Sequence, residues 1–258
     1  NTQYNPFFGP WNMKRDVQLA LLALTTTPIA GHQKTVLKYT APALAAVYLN
    51  LRRERGGKPH GQTKWAAIFE EFRREGGQVG YRDLYRTSGD RVKALQKEID
   101  LTSAWFPRKA MHATLNWFSD YNSALESAVR VAAYQVGIEQ GMTKARAAAM
   151  AKNLTVNFNQ KGRLGRKMGA LYSFSNAAAQ GTARVAETLT GPAGRTIILG
   201  GVSLGVLQAL ALFAAGFDED DPPQFIRERN LIVPTGNGGY YTHAMPLGFN
   251  VLPNIGRI

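Results

Sequence analysis

Between Ile197 and Phe217 the chain reads IILGGVSLGVLQALALFAAGF, an uncharged apolar run in which Gln208 is the one strongly polar side chain. No other stretch constrains the fold as much. At ~1.5 Å per helical residue the run is on the order of 30 Å long, the thickness of a bilayer's hydrocarbon core. Two readings follow. In one the helix meets lipid; in the other it is a central helix buried on all sides in a helical domain, which suits the hydropathy lost to Gly200, Gly201, Gly205 and Gly216. Gly201 and Gly205 form a GxxxG pair that Ala209 extends into a ridge of small residues, so both readings give this helix a close helical neighbour.

The flanks of the run are charged with opposite sign. Arg184 and Arg195 precede it, and Asp218, Glu219, Asp220 and Asp221 follow. If the helix spans a membrane, the positive-inside tendency puts its amino-terminal side in the cytoplasm. The acidic run lacks the glycine and terminal glutamate of a calcium loop, so it reads as a solvated helix end and no metal site is expected.

Over all 258 residues Lys and Arg outnumber Asp and Glu by 31 to 18, a net charge of +13 and a pI near 10.1. Such an excess points to a polyanionic partner, either nucleic acid or an anionic membrane surface. The chain has no cysteine, which excludes disulfides, zinc knuckles and thiol catalysis. No basic segment followed by a cleavable apolar core is seen, and the chain reads as part of a longer polypeptide.

Helical patterning dominates the rest, and the expected fold is mainly α, an elongated multi-helix bundle with a small β-hairpin near the carboxyl end. A first helix is expected from about Asn12 to Thr26, ended by Thr27-Pro28. A second runs from about Gln33 to Arg55 with Pro42 inside it, and Thr63 caps a third that carries Trp65, Ile68, Phe69 and Phe72 on one face. From Arg108 to Gly141, Met111, Leu115, Phe118, Asn122, Leu125, Val129, Ala132 and Val136 recur at steps of four and three, the seam of a helix lying along a partner helix. Asn122 is the polar member of that seam, a place where such a residue can fix register. Thr143 caps an Ala-rich helix to Lys152. Near the carboxyl end, NLIVP and YYTHAMPL flank TGNGG, which reads as the hairpin.

Two basic clusters are candidates for phosphate contact, in nucleic acid or lipid headgroups. Arg52 and Arg53 stand with Arg55 and Lys58 at the end of the second helix, where a solvated helix end is the plainer reading. Lys161, Arg163, Arg166 and Lys167 surround Gly162 and Gly165, with a plain basic loop as the alternative; the spacing is not that of a Walker A loop. His32, His60, His112 and His243 are scattered without metal-ligand spacing, and no nucleophile elbow or dinucleotide fingerprint is present. No enzymatic activity, cofactor or catalytic residue is expected of this segment.

The strings FNQKG, ALYSFSNAAAQGTARV, DEDDPPQFIRERNLIVP and YYTHAMPLGFNVLPNIGR follow one another from Phe158 to Ile258, with the apolar run between the second and third. This order resembles the helical domain near the carboxyl end of very large polyvalent bacteriophage proteins, and the opening NPFFGPWNMKRD is similar to the segment that often precedes it. The resemblance implies a division into residues 1–157, a helical region with the heptad-patterned helix, and residues 158–258, the phage-type domain. It also implies a protein packaged in the capsid and delivered with the DNA: an internal virion, or ejection, protein that helps form the internal core or the DNA channel. The implied partners are phage DNA, other virion core, portal or ejection proteins, the host inner membrane after delivery, and further copies of the chain. The alternative is a DNA-binding scaffold within an injected antirestriction protein. On the first reading the run from Ile197 to Phe217 is covered by helical protein in the virion and faces lipid in the host envelope.

Overall fold

The computed structural model describes residues 8–77, 106–155, 175–218, 221–246 and 248–257. The fold is mainly α with one small antiparallel hairpin toward the carboxyl end. Among the described residues the helices are α1 (Phe8–Ala23), α2 (Gln33–Arg55), α3 (Lys64–Arg74), α4 (Phe106–Glu139), α5 (Lys144–Lys152), α6 (Ser175–Thr190), α7 (Gly194–Ala214), α8 (Gln224–Arg227) and α9 (Val251–Arg257). Strands β1 (Asn230–Pro234) and β2 (Tyr240–Ala244) form the hairpin between α8 and α9. The chain separates into two compact units, Asn1–Ala177 and Ala178–Ile258.

In the first unit α4 is the central element, and α1, α2, α3 and α5 all pack against it. Its long partner is α2, in the same chain. The seam positions Leu125, Val129, Ala132 and Val136 are buried, but so are Ala124, Ala128, Val131, Ala133 and Tyr134. The second half of α4 is therefore enclosed on several sides rather than along one seam. Its alanines explain this, because short side chains let several helices approach one axis. At Gly137 a Cβ would lie 3.1 Å from the Cβ of Ala147 on α5. Asn122 lies in the half-buried part of the helix.

Local chemistry accounts for several helix ends. The Thr63 hydroxyl accepts the Ala66 amide at 3.2 Å and caps α3, whose Phe69 and Phe72 are fully buried. Thr143 occupies the cap position of α5 with extended backbone, yet its side chain makes no capping hydrogen bond. Helix α1 starts earlier than Asn12, at Phe8, since Pro10 fits a first turn whose amides need no partner. It closes in a 3-10 turn (Leu24–Thr26), where the hydroxyls of Thr25, Thr26 and Thr27 donate to the carbonyls three residues back at 2.7, 2.9 and 2.8 Å.

The second unit is built on α7. This helix stops at Ala214 because Gly216 adopts φ +79°, which only glycine takes without strain. The Phe217 amide then bonds the Leu212 carbonyl at 3.1 Å and the Gly216 amide bonds that of Phe213 at 3.0 Å, a Schellman closure. Strand register runs from Asn230 opposite Ala244 to Pro234 opposite Tyr240, and Ile232 is buried where β1 meets α7. Helix α9 had no clear signal in the sequence, being short and containing Pro253 and Gly256. Pro253 falls in its first turn, where no amide hydrogen bond is lost.

Candidate functional site

The apolar helix is not buried on all sides. One stripe of α7, formed by Gly205, Gln208 and Leu212 with Gly201 beside them, is covered within its own unit. Around the remaining half of its circumference Leu199 (68% exposed), Leu204, Val206, Leu207, Leu210 and Phe213 (82% exposed) are open. Ala209 sits half-buried at the edge of the stripe, so the covered face continues through Gln208 and Leu212. An open face this apolar on a helix with the length and hydropathy of a membrane span is a surface suited to lipid or to a protein partner.

The cover on the small-residue stripe is α9. A Cβ on Gly201 would lie 2.6 Å from Cβ of Leu252, and one on Gly205 would overlap the carbonyl of Pro253. The fit is reciprocal, since a Cβ on Gly256 would overlap the carbonyl of Val202. Gly205 and Gly256 thus each direct a Cα hydrogen at a carbonyl across the interface, a weak contact typical of closely approaching helices, while Gly201 makes room for the Leu252 side chain. Side chains from α9 and the turn before it hold the cover in place. Asn250 and Asn254 donate through Nδ2 to the Glu228 carbonyl at 2.9 and 3.1 Å. Arg257 donates to the carbonyls of Arg227 and Asn230.

Gln208 breaks the apolar pattern of the covered face. Its side chain is 3% exposed, and neither Nε2 nor Oε1 has a hydrogen-bond partner. An unpaired buried amide of this kind costs about 1–3 kcal/mol. Leu252, Pro253, Gly256 and Arg257 were not singled out by the sequence, although the glycine spacing on α7 announces a close neighbour.

The basic cluster at the end of α2 is only partly free for a ligand. Asp120 on α4, with its side chain 2% exposed, accepts from Arg55 Nε at 2.9 Å and from Arg55 Nη2. Arg52 Nη1 stands 3.7 Å from the same carboxylate, while Arg53 is exposed. Arg52 and Arg55 therefore neutralise a buried charge first, Arg52 while itself exposed, and Arg53 and Lys58 are the other exposed members of the cluster. Lys161, Arg163, Arg166 and Lys167 lie outside the described residues.

Other charged side chains of the first unit form structural ties. Arg130, 1% exposed, donates to Thr155 Oγ1 from Nε at 2.8 Å and approaches Glu126 at 3.4 Å. Asp16 is crowded by protein on most sides, and burial raises its pKa from 3.8 to about 6. Arg130 and Arg15 oppose that rise and Glu126 adds to it. Glu71 accepts from Lys144 Nζ at 2.6 Å and Tyr134 Oη at 2.7 Å, and these bonds hold its carboxyl below the usual range. His60 Nδ1 lies 3.3 Å from Glu70 Oε1. No grouping of His, Asp and Glu suited to a metal ion occurs among the described residues.

Comparison with known protein families, curated proteins and solved structures gives no match to this chain.

Proposed function

We propose that this chain is a structural and translocation segment that places α7 against a membrane, in a phage internal virion (ejection) protein helping DNA into the host. The observation that carries the membrane part is the half-circumference of α7 from Leu199 to Phe213, open and apolar on a helix of spanning length. Leaving it in water costs about 25 cal/mol for each Å² of apolar surface, so it needs lipid or protein cover. The phage part is supported by the string resemblance over Phe158 to Ile258 and by a net charge of +13, which suits residence among packaged DNA.

The test is to mix the full chain with anionic liposomes and extract with alkaline carbonate. Retention in the lipid fraction is expected; complete extraction would remove the membrane role. A second reading, a DNA-binding scaffold of an injected antirestriction protein, is favoured by the exposed Arg53 and the overall basic charge. It predicts duplex binding that weakens steeply with salt and flattens when Lys161, Arg163, Arg166 and Lys167 are neutralised, with no liposome retention.

A further inference from the structure

We propose that the Gly201–Gly205–Gln208–Leu212 face of α7 is a self-association surface for a second copy of this chain, and that α9 is its removable internal cover. Two independent observations meet on that face. Its backbone is bare enough for another helix to touch it, as Pro253 and Leu252 do here. In its middle sits an amide with one acceptor and two donor hydrogens, all without partners, shut away from water.

The second copy is the fitting occupant because a primary amide is self-complementary. Two Gln208 side chains meeting across a two-fold axis satisfy the acceptor and one donor hydrogen of each, and two bare ridges do the same for backbone approach. Within lipid such side-chain pairs add to helix association, whereas α9 makes no hydrogen bond to the amide, and its own Asn254 Oδ1 and Arg257 Nε are also unpaired. The cover is suited to exchange. It is a seven-residue helix, and the polar ties that fix it, from Asn250, Asn254 and Arg257, run to the α8–β1 turn and not to α7. When α9 leaves, the ridge of one chain takes the ridge of another.

The inference rests on α7 facing lipid, and the two can fail separately, because carbonate resistance reports insertion and cysteine pairing reports the ridge. The absence of native cysteine makes single-cysteine crosslinking clean. In detergent micelles the full chain carrying Leu212→Cys should form disulfide dimers, faster when Asn254→Ala and Arg257→Ala loosen the cover. Phe213→Cys, on the open face, should not respond to that loosening. Gln208→Leu should weaken dimerisation by about tenfold while raising the thermal midpoint, since it removes the unpaired amide. Equal pairing at positions 212 and 213, or dimerisation unchanged by Gln208→Leu, would overturn the proposal. Should the loosened variant unfold, the Gln208→Leu comparison decides alone.

Discussion

Gly205 on α7 lies so close beneath Pro253 on α9 that any Cβ at position 205 would overlap the Pro253 carbonyl. The obstructing atom belongs to a backbone and cannot swing aside. Gly205→Ala is therefore expected to push α9 off the helix at a cost of about 1–3 kcal/mol, read as faster amide exchange across Val251–Arg257. Gly200, with nothing within 4 Å of its would-be Cβ, is the control. There Ala should be neutral or stabilising by up to about 1 kcal/mol. Equal effects at the two positions would mean that α9 does not dock on the ridge.

The tie between α2 and α4 is a buried carboxylate held by arginine. Asp120→Ala would leave Arg55 without its main partner and Arg52 without its nearest one. A loss of about 1–3 kcal/mol in urea unfolding is expected, the range for hydrogen bonds to a charged group whose arginine partners still reach solvent. A loss under about 0.5 kcal/mol would be that of an exposed site and would remove Asp120 from the core.

Asp16 makes stability depend on pH in an unusual direction. Its folded pKa of about 6 lies above its ordinary 3.8, so between those values the folded chain binds the proton more tightly than the unfolded chain does. Stability contributed by the neutral acid is present below pH ~4 and is lost as pH rises through ~6, by up to about 3 kcal/mol. Asp16→Asn should flatten this slope and raise the thermal midpoint at pH 7. Glu71 acts in the opposite sense in a lower window: its contribution is present above 4.5 and is lost as pH falls through its depressed folded value. An unchanged slope in Asp16→Asn would show that Asp16 is solvated.

Signals carried by neighbouring residues were legible in the sequence. The bounds of α2, the Thr63 cap, the turn between Pro234 and Tyr240, and the bare ridge at Gly201 and Gly205 all follow from spacings of a few residues. What stayed hidden joins distant positions. Arg55 and Asp120 are 65 residues apart, and nothing local distinguishes a buried aspartate from a surface one. Helix α9 carries no local signal because Pro253 and Gly256 argue against a helix, and the close fit against α7 that needs Gly256 exists only once both helices are folded. Apolar patterning carries on through Phe217, whereas Gly216 turns the backbone and α7 ends at Ala214. A heptad pattern marks one seam of α4, whereas its enclosure also takes in Ala124, Ala128, Arg130, Val131, Ala133 and Tyr134, which follow no second periodic stripe of large apolar residues.

The central claim is that the open face of α7 meets lipid. Its most direct measurement is a polarity-sensitive fluorophore on a single cysteine, placed at Phe213→Cys, Leu199→Cys or Glu187→Cys, with and without anionic liposomes. The account predicts that emission from positions 199 and 213 shifts to the blue on adding liposomes while position 187, an exposed acidic site on α6, stays unchanged. Emission from 199 and 213 that stays that of a water-exposed label would contradict it.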